Sequence, residues 1–189
     1  MKEGKVRHVG LSNETPWGLM QFCRLAEQVP GLPRVVSIQN SYSLLCRTFD
    51  SGLAECCHSE RVSLLAYSPL AMGLLTGKYL APDGGPPMAR LNRYRGRYAE
   101  AESRYGLTKP NVREAVGEYT RLAAAWGISA LELAIRFVFH HPLVASTIVG
   151  ASSVEQLRSL LHAADRPPLE VALVEEIDSI HRRFPNPTP

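Results

Sequence analysis

Four short stretches hold side chains that could do chemistry together: Gly10-Leu11-Ser12-Asn13, Gln39-Asn40, Tyr67-Ser68-Pro69-Leu70 and Gly150-Ala151-Ser152-Ser153. They offer neutral hydrogen-bonding groups and one aromatic ring. No carboxylate pair, His-Cys cluster or Ser-His-Asp arrangement occurs among them, so hydrolysis and metal catalysis have no candidate residues here. Binding a planar amide and a phosphate fits this chemistry better, because Asn and Gln pair donors with acceptors and an aromatic face gives apolar contact without proton chemistry. Taken one at a time, Ser12 and Asn13 read as turn and cap residues, Gln39 as partner of a strand-end backbone group, and Tyr67 as core. Their recurrence at successive strand ends favours one shared site.

The elements that must position these residues follow from periodicity. Short β-branched runs at Val6 to Leu11, Val35 to Gln39, Ser63 to Tyr67 and Ser146 to Val149 read as buried parallel strands. The strand ends Leu11, Gln39 and Tyr67 are spaced 28 residues apart and then 28 again, close to the roughly 31 residues per unit of a barrel of eight strand-helix units. Thr15-Pro16 opens a helix whose stripe is Leu19, Phe22, Cys23 and Ala26. Asn111 with Glu114, Ser129 with Glu132, and Ser153 with Gln156 each form a capping-box pattern ahead of an apolar stripe. A closing helix follows from Leu169 to Phe184. The segment Ala81 to Lys109, rich in Gly, Pro and Arg, reads as a long loop, and the Pro-rich tail 185–189 is expected to fray.

Composition narrows the class. With 45% hydrophobic and 21% charged residues the chain has globular usage, and a net charge of +3 is too small to predict a polyanion partner over the whole surface. Arg90, Arg93, Arg95, Arg97 and Arg104 alternate with Tyr94, Tyr98 and Tyr105, superficially like a nucleic-acid-binding segment; flanking Pro and Gly favour a solvated loop, and the other reading has one arginine reach a cofactor phosphate. The four cysteines lack metal-ligand spacing and read as reduced, buried thiols. Neither a membrane span nor a signal-peptide core is present, which predicts a cytoplasmic protein with no nucleic-acid or membrane partner.

Beyond spacing, four ordered motifs resemble the aldo-keto reductases, nearest the branch that holds the potassium-channel β subunits and the aflatoxin aldehyde reductases. They are Gly4-Lys5-Val6-Arg7-His8-Val9-Gly10-Leu11-Ser12-Asn13, Gln39-Asn40-Ser41-Tyr42-Ser43, the run from Tyr67 to Tyr79, and Ile148-Val149-Gly150-Ala151-Ser152-Ser153-Val154-Glu155-Gln156-Leu157. The resemblance runs end to end. It implies an α/β fold, the C-terminal half of a (β/α)8 barrel with about four parallel strands, and NADP(H) as cofactor. By resemblance, Ser12, Asn13 and Gln39 bind the nicotinamide carboxamide and Tyr67 stacks on the ring. Ser68, Pro69, Leu70, Gly73, Leu75 and Lys78 belong to the loop around the pyrophosphate, with Gly77 also allowing close backbone approach. Gly150, Ser152, Ser153 and Gln156 lie at the helix end that receives the 2′-phosphate. Leu160 departs from the pattern, standing where relatives carry an Asn that faces the adenine.

The family's catalytic Tyr, Lys, Asp and His lie in the first half of the barrel, and no residue here matches them. Met1 coincides with the helix end before the fifth barrel strand, so the expectation is a single partial domain, residues 1–189, truncated and inactive alone. It would supply the cofactor half of an enzyme that transfers hydride between nicotinamide and a small carbonyl substrate. The alternatives are a non-catalytic, nucleotide-sensing regulatory subunit and an unstable truncated product. Open barrel edges predict self-association.

Overall fold

The computed structural model describes all 189 residues other than the side chains of Glu100, Ala101 and Pro110. Strands β1 (Val9–Ser12), β2 (Val35–Ser41), β3 (Ser63–Tyr67) and β4 (Val144–Ile148) form one sheet in the order β1-β2-β3-β4, and every neighbouring pair is parallel. The four expected strands are all present; β3 has the expected ends, β2 runs two residues further, and β1 and β4 are shifted. β1 starts three residues later than its β-branched run, because Val6, Arg7 and His8 are exposed. β4 starts two residues earlier, where Val144 pairs with Leu64 and packs against the core.

Among the described residues, eight α-helices connect or flank the strands: α1 (Pro16–Gln28), α2 (Leu53–Glu60), α3 (Arg90–Arg93), α4 (Ala99–Tyr105), α5 (Pro110–Ala125), α6 (Ala130–His140), α7 (Val154–Ala164) and α8 (Val171–Arg183). The Thr15 hydroxyl accepts from the Gly18 N–H at 3.1 Å with Pro16 in the first turn, as a helix start requires. Ser129 caps α6 and Ser153 caps α7 in the same way. The capping box expected at Asn111 and Glu114 does not form: α5 is already helical from Pro110, Lys109 holds the cap position, and no side chain caps it. Helix α2 gave little signal in the sequence, since it has eight residues, enters from Gly52 at φ 82° and buries only Leu53 and Cys57. The segment read as a loop, 81–109, contains the short helices α3 and α4.

Side chains alternate between the two faces of a strand, so the registers sort the sheet. Ile38, Leu64 and Ala66 are fully buried against the helices, with Leu11 on the same side. The other face carries Ser12 and Gln39, which are register partners, and Tyr67, which is paired with Ser41 and Ile148. Ser12 and Ile148 on it are exposed, and Arg104 of the helical segment 99–105 reaches Tyr67. β1 and β4 are the sheet edges. Beside them, α1 exposes Trp17 and Phe22 and α7 exposes Val154 and Leu161. At Gly10 the strands approach closely, because a methyl group there would meet Ser37 Oγ at 2.4 Å.

The tail is docked rather than frayed. Asn186 Oδ1 accepts from the Arg47 N–H at 2.6 Å, and the fully buried Thr188 donates its N–H and hydroxyl to the Leu45 carbonyl at 3.1 and 3.2 Å. The same region holds a polar cluster. Arg47 pairs with Asp178 of α8 at 2.7 Å and Asp50 at 3.2 Å, and lies over the Phe137 ring; Tyr42 donates to Asp50 at 3.3 Å, and His141 sits 3.5 Å from the other Asp50 oxygen. These contacts join the segment after β2 to α6, α8 and the tail.

Among the described residues no single helix is long and apolar enough to cross a membrane; α5 and α6 together have the composition but meet at 95°, with their apolar faces in the core. No described group of His, Cys, Asp or Glu is arranged to hold a metal. The cysteines are free, and burial pushes the Cys57 thiol up to about 11 and the Cys23 thiol upward, away from the reactive thiolate.

The face assignment gives a first prediction. Leu64→Ala should cost about 2–5 kcal/mol as a buried large-to-small change, whereas Leu65→Ala, on the opposite face, should cost under about 1 kcal/mol. Equal losses in urea unfolding would refute the assignment. A second prediction concerns pH. Burial holds the His141 and His181 imidazoles below their ordinary 6.5, so in acid the unfolded chain takes up protons that the folded chain resists. Stability should therefore fall as pH drops below about 6.5. The melting temperature should decline from pH 7.5 to 5.5, and the decline should shrink in the double variant His141→Gln, His181→Gln; an identical decline in both proteins would remove the explanation.

Candidate functional site

The C-terminal ends of β1, β2 and β3 come together through specific bonds. Tyr67 donates its hydroxyl to Asn13 Oδ1 at 2.8 Å, and the Asn13 N–H donates to the Gln39 carbonyl at 3.0 Å. Asn13 therefore bridges three strand ends. It does so in the left-handed region, at φ 54°, which Asn tolerates better than most residues because its short polar side chain can bond locally. Ser12 is exposed beside it, and Gln39 and Tyr67 are half-buried. Asn40 donates to the Glu14 carbonyl at 3.4 Å, while its own carbonyl oxygen is buried with no partner among the described residues.

The loop after β3 is strained. Ser68, Ala71, Met72 and Gly73 have φ of 56°, 46°, 58° and 91°. A non-Gly residue held there costs on the order of 1–3 kcal/mol, and such strain collects at ligand sites. Buried packing sustains it: Ala71, Met72, Leu74 and Leu75 are in the core, and Leu70 packs against Ile135, Leu160 and Ala163. The side chains of Pro69, Leu70 and Leu75 thus serve packing, and backbone is what these positions can present to a ligand. At Gly73 a methyl group would lie 3.1 Å from Lys78 Nζ, so the absent side chain makes room for the ammonium. Lys78 rests over the Tyr79 ring at 5.3 Å and pairs with no carboxylate among the described residues; desolvation lowers its pKa. A strained loop with an uncompensated cation fits a phosphate group.

The α7 end is built differently from a bare anion site. Ser153 Oγ accepts from the Gln156 N–H at 3.2 Å, and Gln156 Oε1 accepts from the Ser152 N–H and hydroxyl at 2.9 and 3.1 Å. Gln156 thus closes the helix end on itself, and an oxyanion binding there must compete with that carboxamide. Gly150, Ser152 and Ser153 are all exposed. Leu160 is buried against Ile135 and Ala163, so its apolar side chain serves α6–α7 packing and does not face a ligand.

One residue was missed as a site member. Arg104, expected in a solvated loop, is on α4, half-buried, with Nη1 3.4 Å from the Tyr67 hydroxyl. Its place in the Arg-Tyr alternation was visible; its contact with β3, 37 residues away, was not. Asn13, Tyr67, Ser103, Arg104, Lys109 and Pro189 line an open cleft of about 620 Å³.

A parallel sheet packed against helices, with polar groups and strain gathered at its strand C-termini, defines an α/β protein of the kind that carries its functional groups at the strand ends. Comparison with known proteins narrows the class. Residues 1–182 match the aldo/keto reductase family, and the chain belongs to it. Its four strands and their helices cover part of the (β/α)8 barrel of that family. The chain is 39% identical over 188 residues to protein tas of Escherichia coli, aligning over 100% of itself and 51% of that protein. It is 37% identical over 196 residues to an aldo-keto reductase of Babesia bovis, covering 99% of itself and 65% of that protein. It is 32% identical over 199 residues to human aflatoxin B1 aldehyde reductase member 4, with 100% and 59% covered. The chain thus spans between half and two thirds of the length of these relatives.

The Asn13 bridge is testable by stability. Asn13→Val should cost about 1–2 kcal/mol more than Asn13→Gly, since only the former places a branched side chain in the left-handed region. Denaturant midpoints for the two variants decide it, and a valine variant as stable as the glycine one would count against the bridge geometry.

Proposed function

We propose that this chain forms the cofactor-binding half of an NADP(H)-dependent aldo-keto reductase. The observation that carries the reading is the joining of three strand ends at one point, through the Tyr67–Asn13 and Asn13–Gln39 bonds. The cofactor would supply the hydride for reduction of a carbonyl group. The chain's own residues bind and orient it. Asn13 keeps its carboxamide N–H₂ free of Tyr67, which uses only the oxygen, and Gln39 offers a second carboxamide; together with Ser12 they suit an amide-bearing ring. Tyr67, fixed through its hydroxyl, can present a ring face. Ser68 to Lys78 suits the pyrophosphate through strained backbone and a single ammonium, and the α7 end, on displacement of Gln156, suits a further phosphate.

By the resemblance, none of the strand-end residues corresponds to the family's catalytic Tyr, Lys, Asp or His, so turnover would draw those groups from outside them. The open sheet edges and the exposed apolar side chains of α1 and α7 favour association, either with the rest of a barrel or with another copy. A non-catalytic, nucleotide-sensing subunit uses the same site.

The direct test is fluorescence titration with NADPH, on this chain and on a complete barrel containing it. Binding is expected to be weakened roughly tenfold or more by Tyr67→Ala, given that base-aromatic stacking contributes about 1–3 kcal/mol. Lys78→Met should weaken it by a similar factor, and the loss should be smaller at high salt. A complete barrel that leaves NADPH fluorescence unchanged would sink the assignment.

A further inference from the structure

His141 links the start of β4 to the C-terminal tail, and its two ring nitrogens have different tasks. Nδ1 accepts from the Leu143 N–H at 3.2 Å, so the ring's proton is on Nε2, which lies 3.5 Å from Asp50 Oδ1. Tyr42 and Phe49 hold the ring edge-on, with centroids 5.2 and 5.5 Å away. The other Asp50 oxygen accepts from Arg47 Nε at 3.2 Å and from the Tyr42 hydroxyl at 3.3 Å. From there the contacts reach the tail: the Arg47 N–H donates to Asn186 at 2.6 Å, and the Leu45 carbonyl accepts from Thr188. On the strand side, the Leu143 carbonyl accepts from the Leu64 N–H at 2.7 Å, so the ring is also tied to the pairing of β4 with β3.

A second proton fits none of this. It can go only on Nδ1, where it faces the Leu143 N–H, donor against donor, and leaves that backbone group without its acceptor. The imidazolium would also lie beside Arg47 and His140 and compete with Arg47 for Asp50. Helix α8 adds Asp178, already paired with Arg47 at 2.7 Å, and His181, whose buried Nδ1 has no partner among the described residues. Helix α5 adds the buried Tyr119 hydroxyl, likewise unpartnered there, which feels the charges of Arg47, Asp178 and Arg183. Burial, reinforced by Arg47 and His140, outweighs the pull of Asp50 and holds the His141 imidazole below its ordinary 6.5.

We propose that His141 is the pin of an acid-released latch: a proton on Nδ1 breaks the Leu143 bond, loosens segment 42–50 and frees the tail 185–189 while the sheet stays folded. Release takes Pro189 out of the lining of the cleft at the strand ends. The latch does not depend on what that cleft binds. The released form accepts a proton that the docked form resists, so docking is complete above about pH 6.5 and is lost as pH falls below it, by up to about tenfold per pH unit.

The test is native-state hydrogen exchange of the full chain, followed by NMR and corrected for the intrinsic pH dependence of exchange. Protection of the Thr188 amide should fall roughly tenfold between pH 7.5 and 5.5. Its exchange should not respond to low urea, because a local opening exposes little surface, whereas that of the Ile38 amide in β2 should accelerate. His141→Asn keeps an acceptor at the δ position and does not titrate, so it should hold Thr188 protection constant to within about twofold; His181→Gln should leave the pH response in place. Thr188 exchange that follows urea as Ile38 does overturns the proposal, since the tail then leaves only on global unfolding. So does a pH response that survives His141→Asn or disappears with His181→Gln. Ring nitrogen shifts give a check that needs no variant: at pH 7.5 Nδ1 of His141 should be bare and Nε2 protonated, and a proton on Nδ1 there removes the pin.

Discussion

A slip of one residue between β2 and β3 would turn Gln39 and Tyr67 onto opposite faces of the sheet, because side chains alternate with a period of two. The site depends on that register. It pairs Ile38 with Leu64 and Ser41 with Tyr67, so the fully buried Ile38, Leu64 and Ala66 face the helices while Gln39 and Tyr67 share the other side. Burial of the first set fixes the position of the second. The polar groups at the strand tips are therefore arranged by hydrophobic packing that they take no part in.

The same separation explains where the strain sits. Asn13, Ser68, Ala71 and Met72 hold left-handed backbone immediately beyond strands β1 and β3. Leu70, Leu74 and Leu75 anchor the second of these loops in apolar contacts, and the Tyr67 hydroxyl anchors the first. The core thus offsets unfavourable backbone geometry at the point where a ligand would need close backbone approach. The C-terminal segment adds a further layer. Arg47, Asp50, Asp178 and Asn186 tie it to the residues after β2, and Thr188 brings a carbonyl to Arg104. Through that contact the end of the chain helps aim a cation at the cleft beside Tyr67.

Membership of the aldo/keto reductase family and the open sheet edges fit together. The sheet has two unpaired edges, and the chain spans between half and two thirds of the length of the relatives it matches. Such edges are templates for further strands.

Much of this was legible in the residues themselves. Period and β-branching placed all four strands, because short β-branched runs bounded by turn residues favour extended backbone; Thr15, Ser129 and Ser153 marked helix starts, because a hydroxyl that caps free N–H groups acts locally. The strand-end sets containing Asn13, Gln39 and Tyr67 could be read for the same reason: a strand ends at a definable residue. Tertiary structure alone decided what depends on distant partners. Arg104 became a site residue by meeting Tyr67, 37 positions away; the tail became ordered by reaching Leu45, 143 positions from Thr188; Leu160 turned inward because α6 supplied Ile135. Short-range rules set caps and periods, but which charge stands beside which ring is set by contacts between segments whose separation along the chain carries no signal.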